Sequence, residues 1–163
     1  MQGASSGLQG TKVKAQRQQE ETVYRVDIGR VMSGEDRRTT IMIRNIPNKY
    51  TQPMLLESLD QSQQGQYDFF YLPIDFKNKC NMGYAFINFV DSIFIPEFYH
   101  RYNDQRWKCF NSEKICKITF GRIQGKAALE NNFSSMQQVQ IDKGTKVRPL
   151  ILNPPTLTHH QRE

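Results

Sequence analysis

The chain has 163 residues, of which 37% are hydrophobic and 23% charged, with a formal net charge of +6 and a pI near 9.3. That length suffices for one domain with a respectable core plus loose ends, and the positive balance favours an anionic partner, with nucleic acid the first candidate. No apolar run reaches the roughly 18 residues that a membrane-spanning helix needs, so no membrane partner is expected. No apolar stretch of the kind a secretory signal uses opens the chain. Cys80, Cys109 and Cys116 are an odd number without a C-x-x-C pair, which suits free thiols in a reducing compartment. His100, His159 and His160 share no zinc spacing with them, so neither a metal nor another cofactor is expected. A phosphate loop, a nucleophile elbow and an H-E-x-x-H helix are all missing from the sequence, which reads as non-enzymatic.

Residues 1–22 are rich in Gln, Gly, Ser and Lys and are expected to be a disordered, at most weakly helical, tail. Residues 23–38 gain Val23, Tyr24, Val26, Ile28, Val31 and Met32, enough to pack on a domain edge. A first strand is expected over Thr40–Ile46, ended by Pro47 and Asn48. Thr51 is placed to cap a helix with Pro53 in its first turn and an apolar face of Met54, Leu55, Leu56 and Leu59. Tyr67–Ile74 reads as a second strand and Tyr84–Val90 as a third, with a polar, partly basic loop between them. Asp91 or Ser92 caps a second helix carrying Ile93, Phe94, Phe98 and Tyr99, where Pro96 fits only the first turn. Trp107 and Phe110 are expected to form a satellite core that holds the loop before a fourth strand, Ile115–Phe120. A short third helix follows at Lys126–Phe133, and residues 135–163 read as a mostly flexible tail with a small extended patch at Val147–Leu152.

The order β-α-β-β-α-β with an added C-terminal helix is that of an α+β, ferredoxin-like sandwich spanning residues 39–134. Both crossover helices then cover one side of an antiparallel sheet, leaving the other side open unless a tail or ligand covers it. The segment Gly83–Phe89 (GYAFINF) alternates strictly. Ala85, Ile87 and Phe89 face one way and Tyr84, Phe86 and Asn88 the other. Two outward rings about 7 Å apart along a strand form a platform on which unpaired bases stack.

Gly83–Phe89 is similar to the longer RNA-contact motif of the RNA recognition motif fold, and Ile41–Ile46 (IMIRNI) to its shorter one. The stretches 39–50 (TTIMIRNIPNKY), 67–80 (YDFFYLPIDFKNKC), 110–116 (FNSEKIC) and 121–129 (GRIQGKAAL) resemble the C-terminal recognition domain of the Mei-two-like proteins, meiosis-regulating RNA-binding proteins of fungi and plants. The resemblance runs from about Tyr24 to Leu152. It implies a single-stranded RNA-binding module acting in meiotic regulation through a noncoding or target RNA, in the nucleus with possible shuttling to the cytoplasm. It also implies that the chain is the last module of a longer polypeptide, whose other parts offer protein partners. Met42 stands where the fold's first motif carries a ring, and Met82 where its second carries a base.

With Ile41, Ile43, Phe70, Leu72, Cys116, Ile118 and Phe120 inward, the strand phase turns Met42, Arg44, Tyr71, Tyr84, Phe86, Asn88 and Lys117 toward the open face. Tyr84 and Phe86 are assigned to base stacking, Tyr71 with them if the phase holds, and Arg44 and Lys117 to phosphates or base edges. Lys77 and Lys79, in the loop between the second and third strands, and Arg122 and Lys126, after the last strand, are further RNA-binding candidates. Each has a plainer rival: the C-terminal helix or a tail covers Tyr84 and Phe86, Arg44 pairs with an acid, Lys126 merely begins a helix, and the lysine loop is only solvated. The alternative function is a protein-interaction module using the same Met and aromatic face. As an isolated domain the chain is expected to be monomeric.

Overall fold

The computed structural model describes residues 6–75, 77–142 and 148–153. The core is a five-stranded antiparallel sheet in the order β6-β1-β5-β2-β7. Its strands are β1 (Thr40–Arg44), β2 (Tyr67–Tyr71), β5 (Tyr84–Phe89), β6 (Lys117–Phe120) and β7 (Leu150–Ile151), while β3 (Ile74–Asp75) and β4 (Cys80–Asn81) form a separate small hairpin. The helices are α1 (Ser6–Tyr24), α2 (Ile28–Met32), α3 (Gln52–Gln63), α4 (Ile95–Tyr102) and α5 (Lys126–Asp142). The central β1-α3-β2-β5-α4-β6 run is the α+β, ferredoxin-like arrangement.

Local chemistry explains the boundaries. The Thr51 hydroxyl accepts the Met54 N–H at 3.4 Å and Pro53 sits in the first turn of α3. The Asp91 carboxylate accepts from the Ile93 N–H, opening a 3-10 turn at Ser92–Phe94 that leads into α4, with Pro96 in its first turn. The second strand is shorter than the expected Tyr67–Ile74, because Leu72 and Pro73 leave the ladder.

The inner face buries Ile41, Ile43, Phe70, Ala85, Ile87, Phe89, Ile118 and Phe120 against Leu55, Leu59, Ile95 and Phe98 of the crossover helices. Across the sheet Ile43 stands opposite Ala85 and Ile118, and Ile41 opposite Ile87 and Phe120. A register shift between Tyr67 and Phe69 breaks the alternation of β2. It lets Tyr67 join this inner core while Phe69 and Tyr71 face the other way. The Tyr67 hydroxyl donates to the Asp60 carboxylate at 2.6 Å, and burial, then that carboxylate, hold its pKa well above the ordinary phenol value. Trp107 belongs to the main core at 8% exposure, whereas Phe110 stays 40% exposed and meets the Tyr50 ring edge-on at 5.0 Å.

The ends differ from the sequence expectation. From Ser6 the N-terminal segment is a helix, not a disordered tail. Its Lys, Gln, Glu and Ala residues are good helix formers, and the helix meets the domain near its last turn. There Glu20 pairs with Arg122 at 3.1 Å, and Arg38 donates to the Val23 carbonyl at 2.7 Å. Val26 and Val31 are buried in the main core, so the 23–38 segment packs on the domain. At the other end α5 runs on past Phe133 to Asp142, and Leu150 and Ile151 pair with Phe70 and Phe69 as an edge strand. Residues 1–5, 143–147 and 154–163 of the expected tails lie outside the described residues.

The three thiols differ sharply in environment. Cys116 is 2% exposed, and burial, then the nearby Asp104 charge, push its pKa up to about 12, whereas Cys109 is exposed. At pH 8 an aromatic disulfide reagent should titrate Cys109 in the native protein and reach Cys116 only on unfolding. Equal native rates for the two would contradict this packing. Because the folded pKa lies above the unfolded one, the contribution of Cys116 to stability is complete below about pH 9 and is lost as pH rises toward 12.

Candidate nucleic-acid interface

The outer face of the sheet is ordered by register into three cross-strand rows. The first is Lys117–Arg44–Tyr84, the second Thr119–Met42–Phe86–Tyr71 and the third Thr40–Asn88–Phe69. Exposure falls from the first row to the third. Arg44 and Lys117 are exposed and Tyr84 half-buried. Met42, Thr119 and Phe86 are half-buried, while Tyr71, Thr40, Asn88 and Phe69 are buried.

Over Phe69, Tyr71 and Phe86 the cause of this gradient is α5. Leu129 and Phe133 of that helix form a second apolar cluster with Phe69 and Tyr71, and Phe86 packs against its edge. The Phe133 ring lies 4.9 Å from Tyr71, 5.4 Å from Phe86 and 6.1 Å from Phe69. Burial of these side chains is a hydrophobic driving force of about 1.5–3 kcal/mol each. Polar contacts set where the helix starts. The Thr40 hydroxyl accepts the Gly125 N–H at 2.9 Å, and the Gln124 amide donates to the Thr40 and Gly121 carbonyls at 3.0 and 2.8 Å. Gly125 has φ +92°, a left-handed conformation that strains a residue with a Cβ.

Tyr84 and its neighbours stay outside this roof. The Tyr84 and Phe86 rings meet edge-on with centroids 5.7 Å apart. At the Tyr84 end a shallow concavity of about 500 Å³ is lined by Met42, Arg44, Asn48, Met82, Tyr84 and Lys114. Met82 is 49% exposed, and Arg44 makes no ion pair among the described residues. Gly83, at φ +88°, delivers Tyr84 to this position, its N–H donating to the Asn81 side chain at 2.7 Å. The Lys114 ammonium donates, at long range, to the Ile46 carbonyl at 3.4 Å and the Asn48 amide oxygen at 3.3 Å. A ring, two thioethers and cations around one hollow are groups that stack a base and hold its phosphate.

Residues 38–134 match the model of the family described as RNA recognition motif 2. The chain belongs to this family. It is 45% identical to Protein MEI2-like 5 of rice, over 94% of this chain and 20% of the relative, and 50% identical to Protein MEI2-like 4 of Arabidopsis thaliana, over 82% and 15%. The chain therefore spans about a fifth or less of the length of these curated relatives. Among solved structures it is similar to the Rna15 RRM with bound RNA (GU), at 16% identity and a TM-score of 0.46, covering 59% of this chain and 96% of that one.

Within this RNA recognition motif domain the expected site residues fall into separate groups. Met42, Arg44, Tyr84, Phe86 and Lys117 share the partly open half of the sheet. Tyr71 has the expected outward phase but is 0% exposed, because α5 covers it. Asn88 is 4% exposed and fully engaged. Its amide oxygen accepts from the Thr39 and Thr40 hydroxyls at 2.8 Å each, and its amide nitrogen donates to Asp68 at 2.8 Å. It is therefore a joint between strands and not an open polar group. The Lys126 ammonium donates to the Leu152 carbonyl at 2.8 Å and the Asn153 side chain at 2.7 Å, so it ties the C-terminal segment to the start of α5.

The remaining cations are exposed but partly committed. Lys117 pairs with Asp104, whose hydrogen bond and charge raise the lysine pKa. Arg122 pairs with Glu20 and lies 5.5 Å from the Tyr24 ring. Lys77 and Lys79 project from the β3–β4 turn, which the Asp75 carboxylate holds by accepting the Lys77 N–H at 3.0 Å and the Asn78 amide at 2.9 Å. Asn45, at φ +61°, donates to the Ile115 carbonyl at 2.9 Å and fixes the turn after β1, in keeping with its reading as a turn residue. Sequence reasoning missed Lys114 and the place of Met82 in the hollow. Lys114 sits in an irregular loop with no periodicity to mark it.

Asn88 supplies a clean stability test. Asn88→Leu leaves the two threonine hydroxyls and Asp68 without their shared partner inside the domain. An uncompensated buried polar group costs about 1–3 kcal/mol, so urea unfolding should show a loss of at least that size. A variant as stable as the parent would remove this joint from the account.

Proposed function

We propose that the domain binds single-stranded RNA on the half of its sheet that α5 leaves uncovered. The observation that carries this reading is the exposed row Lys117–Arg44–Tyr84 bordering the Met42–Met82 hollow. One base stacks on Tyr84 and a second reaches the free edge of Phe86, a footprint of about two stacked bases. Arg44, Lys114 and Lys117 hold phosphates or base edges, and Lys77, Lys79 and Arg122 extend the electrostatic attraction around them. Met42 and Met82 contact bases through polarisable sulfur in place of a ring and a cation. Membership of the family and the identity to MEI2-like proteins support a role in meiotic regulation through a noncoding or target RNA, in the nucleus, as one module of a longer polypeptide.

Exposed Met82 gives a second reading, in which the same face receives a peptide. The two separate on salt. Binding of U-rich, A-rich or mixed short RNA pools should shift the amides of β1, β5 and the 44–49 turn in an NMR titration and weaken steeply as salt rises. Shifts confined to other surfaces, or affinity that ignores salt, would sink the RNA reading.

A further inference from the structure

The domain carries a second recess on the far side of the sheet, between α3, α4 and the loop that follows α4. It has a volume of about 610 Å³. Its floor is aromatic: Tyr50 at 4% exposure and Trp107 at 8%. Met54 on α3 lines one wall and is 38% exposed. A second hollow of about 480 Å³ along α4 shares Arg101 and Gln105 with the first, so the depression continues as a groove.

The charge at its mouth is lopsided. Arg101, Arg106 and Lys108 line it against the carboxylate of Glu57, with Glu97 in the adjoining hollow. Arg101 also meets Glu97 at 3.4 Å, whereas Arg106 and Lys108 form no ion pair among the described residues. Neither the sheet core nor the RNA surface uses these two cations. The Trp107 indole N–H is buried without an acceptor among the described residues.

We infer that this groove docks a linear acidic peptide, with one large apolar side chain entering over Tyr50 and Trp107 and its carboxylates meeting Arg106 and Lys108. The ring geometry favours a peptide over a nucleic acid strand. Trp107 is tilted 57° to Tyr50 at 5.5 Å, and Phe110 stands edge-on at 84° and 5.0 Å. Tyr50 and Trp107 are packed on each other in the recess, and base stacking needs an open ring face. An aromatic anchor site with a polar and charged rim is the arrangement in which a few side chains dominate peptide affinity. The groove lies opposite the Tyr84 surface, so peptide and RNA would bind the domain together.

Trp107 is the only tryptophan of the chain and reports on the site directly. The test selects a displayed library of random twelve-residue peptides on the full chain. Enriched peptides should be acidic, share one aliphatic or aromatic position and shift Trp107 fluorescence. They should bind R106E/K108E at least tenfold more weakly, with that variant's circular dichroism unchanged, and bind Y84A/F86A as they bind the parent. Alanine at the shared apolar position should cause a comparable loss. Failure to enrich any peptide would overturn the proposal, as would enrichment without acidic bias, binding that R106E/K108E retains, or a short RNA that shifts Trp107 and competes. None of these failures bears on RNA binding at Tyr84.

Discussion

Replacing Tyr84 and Phe86 together with alanine should weaken binding of a short labelled RNA by about 2–6 kcal/mol, taking roughly 1–3 for each stacked base. That is a loss of at least about thirtyfold in a fluorescence-anisotropy titration. The two rings do not contribute alike. Tyr84 stands in the exposed row beside Arg44, with its neighbours in the hollow half-open. Tyr84→Ala alone should therefore weaken RNA binding while leaving the unfolding midpoint nearly unchanged. Phe86 shares one side with Phe133 at 5.4 Å, so Phe86→Ala should lower both affinity and stability. A folded double variant that binds RNA as the parent does would remove the stacking platform from the account.

Phe133→Ala should cost about 3–5 kcal/mol of stability, the range for a buried phenylalanine. Phe133 is 5% exposed and contacts three rings of the sheet. Its removal leaves a cavity above Phe69 and Tyr71 that Leu129 alone does not fill. The first sign should be faster hydrogen exchange in α5, because the helix is held chiefly by this cluster and by the Gln124–Thr40–Gly125 contacts at its start. Affinity for a short RNA lying on the Tyr84 half should stay within a few-fold of the parent. A stability change below about 1 kcal/mol would show that the roof is loosely docked, and a large loss of RNA affinity would show that RNA contacts α5 itself.

Much of this arrangement was legible in the order of residues, and for identifiable reasons. Alternation in Tyr84–Phe89 and in Ile41–Arg44 assigned each side chain to a face, because the side-chain period of a strand is 2. Thr51, Asp91 and the prolines Pro53 and Pro96 marked helix starts through backbone chemistry that acts over a few residues. The second strand was harder. Its register shift at Tyr67–Phe69 places Tyr67, Phe70 and Leu72 inside, and a bulge leaves little trace in composition. Residues 6–24 read in sequence as disordered or at most weakly helical, because polar composition reports weak burial; the segment is helical and solvent-exposed along most of its length.

The candidate site divides along the same line. The outward phase of Met42, Arg44, Tyr84, Phe86 and Tyr71 follows from strand periodicity, but periodicity does not say what lies above a face. Leu129 and Phe133 read in sequence only as the apolar residues of a short helix. Their landing on Phe69 and Tyr71 depends on the turn at Gln124–Gly125, whose partners lie at Thr40 on a distant strand. The same holds for Asn88 and Lys126, whose polar groups look free in sequence and are taken up by Thr39, Thr40, Asp68 and Leu152.

By itself, then, the amino-acid order determined the fold class, the family and which side chains leave the inner core, because each of these follows from patterns that are local or repeat along the chain. The tertiary structure alone decided that half of the sheet is covered, which cations remain uncommitted and where the recess over Tyr50 and Trp107 lies, because each depends on contacts between segments far apart in the chain, whose partners no local pattern names.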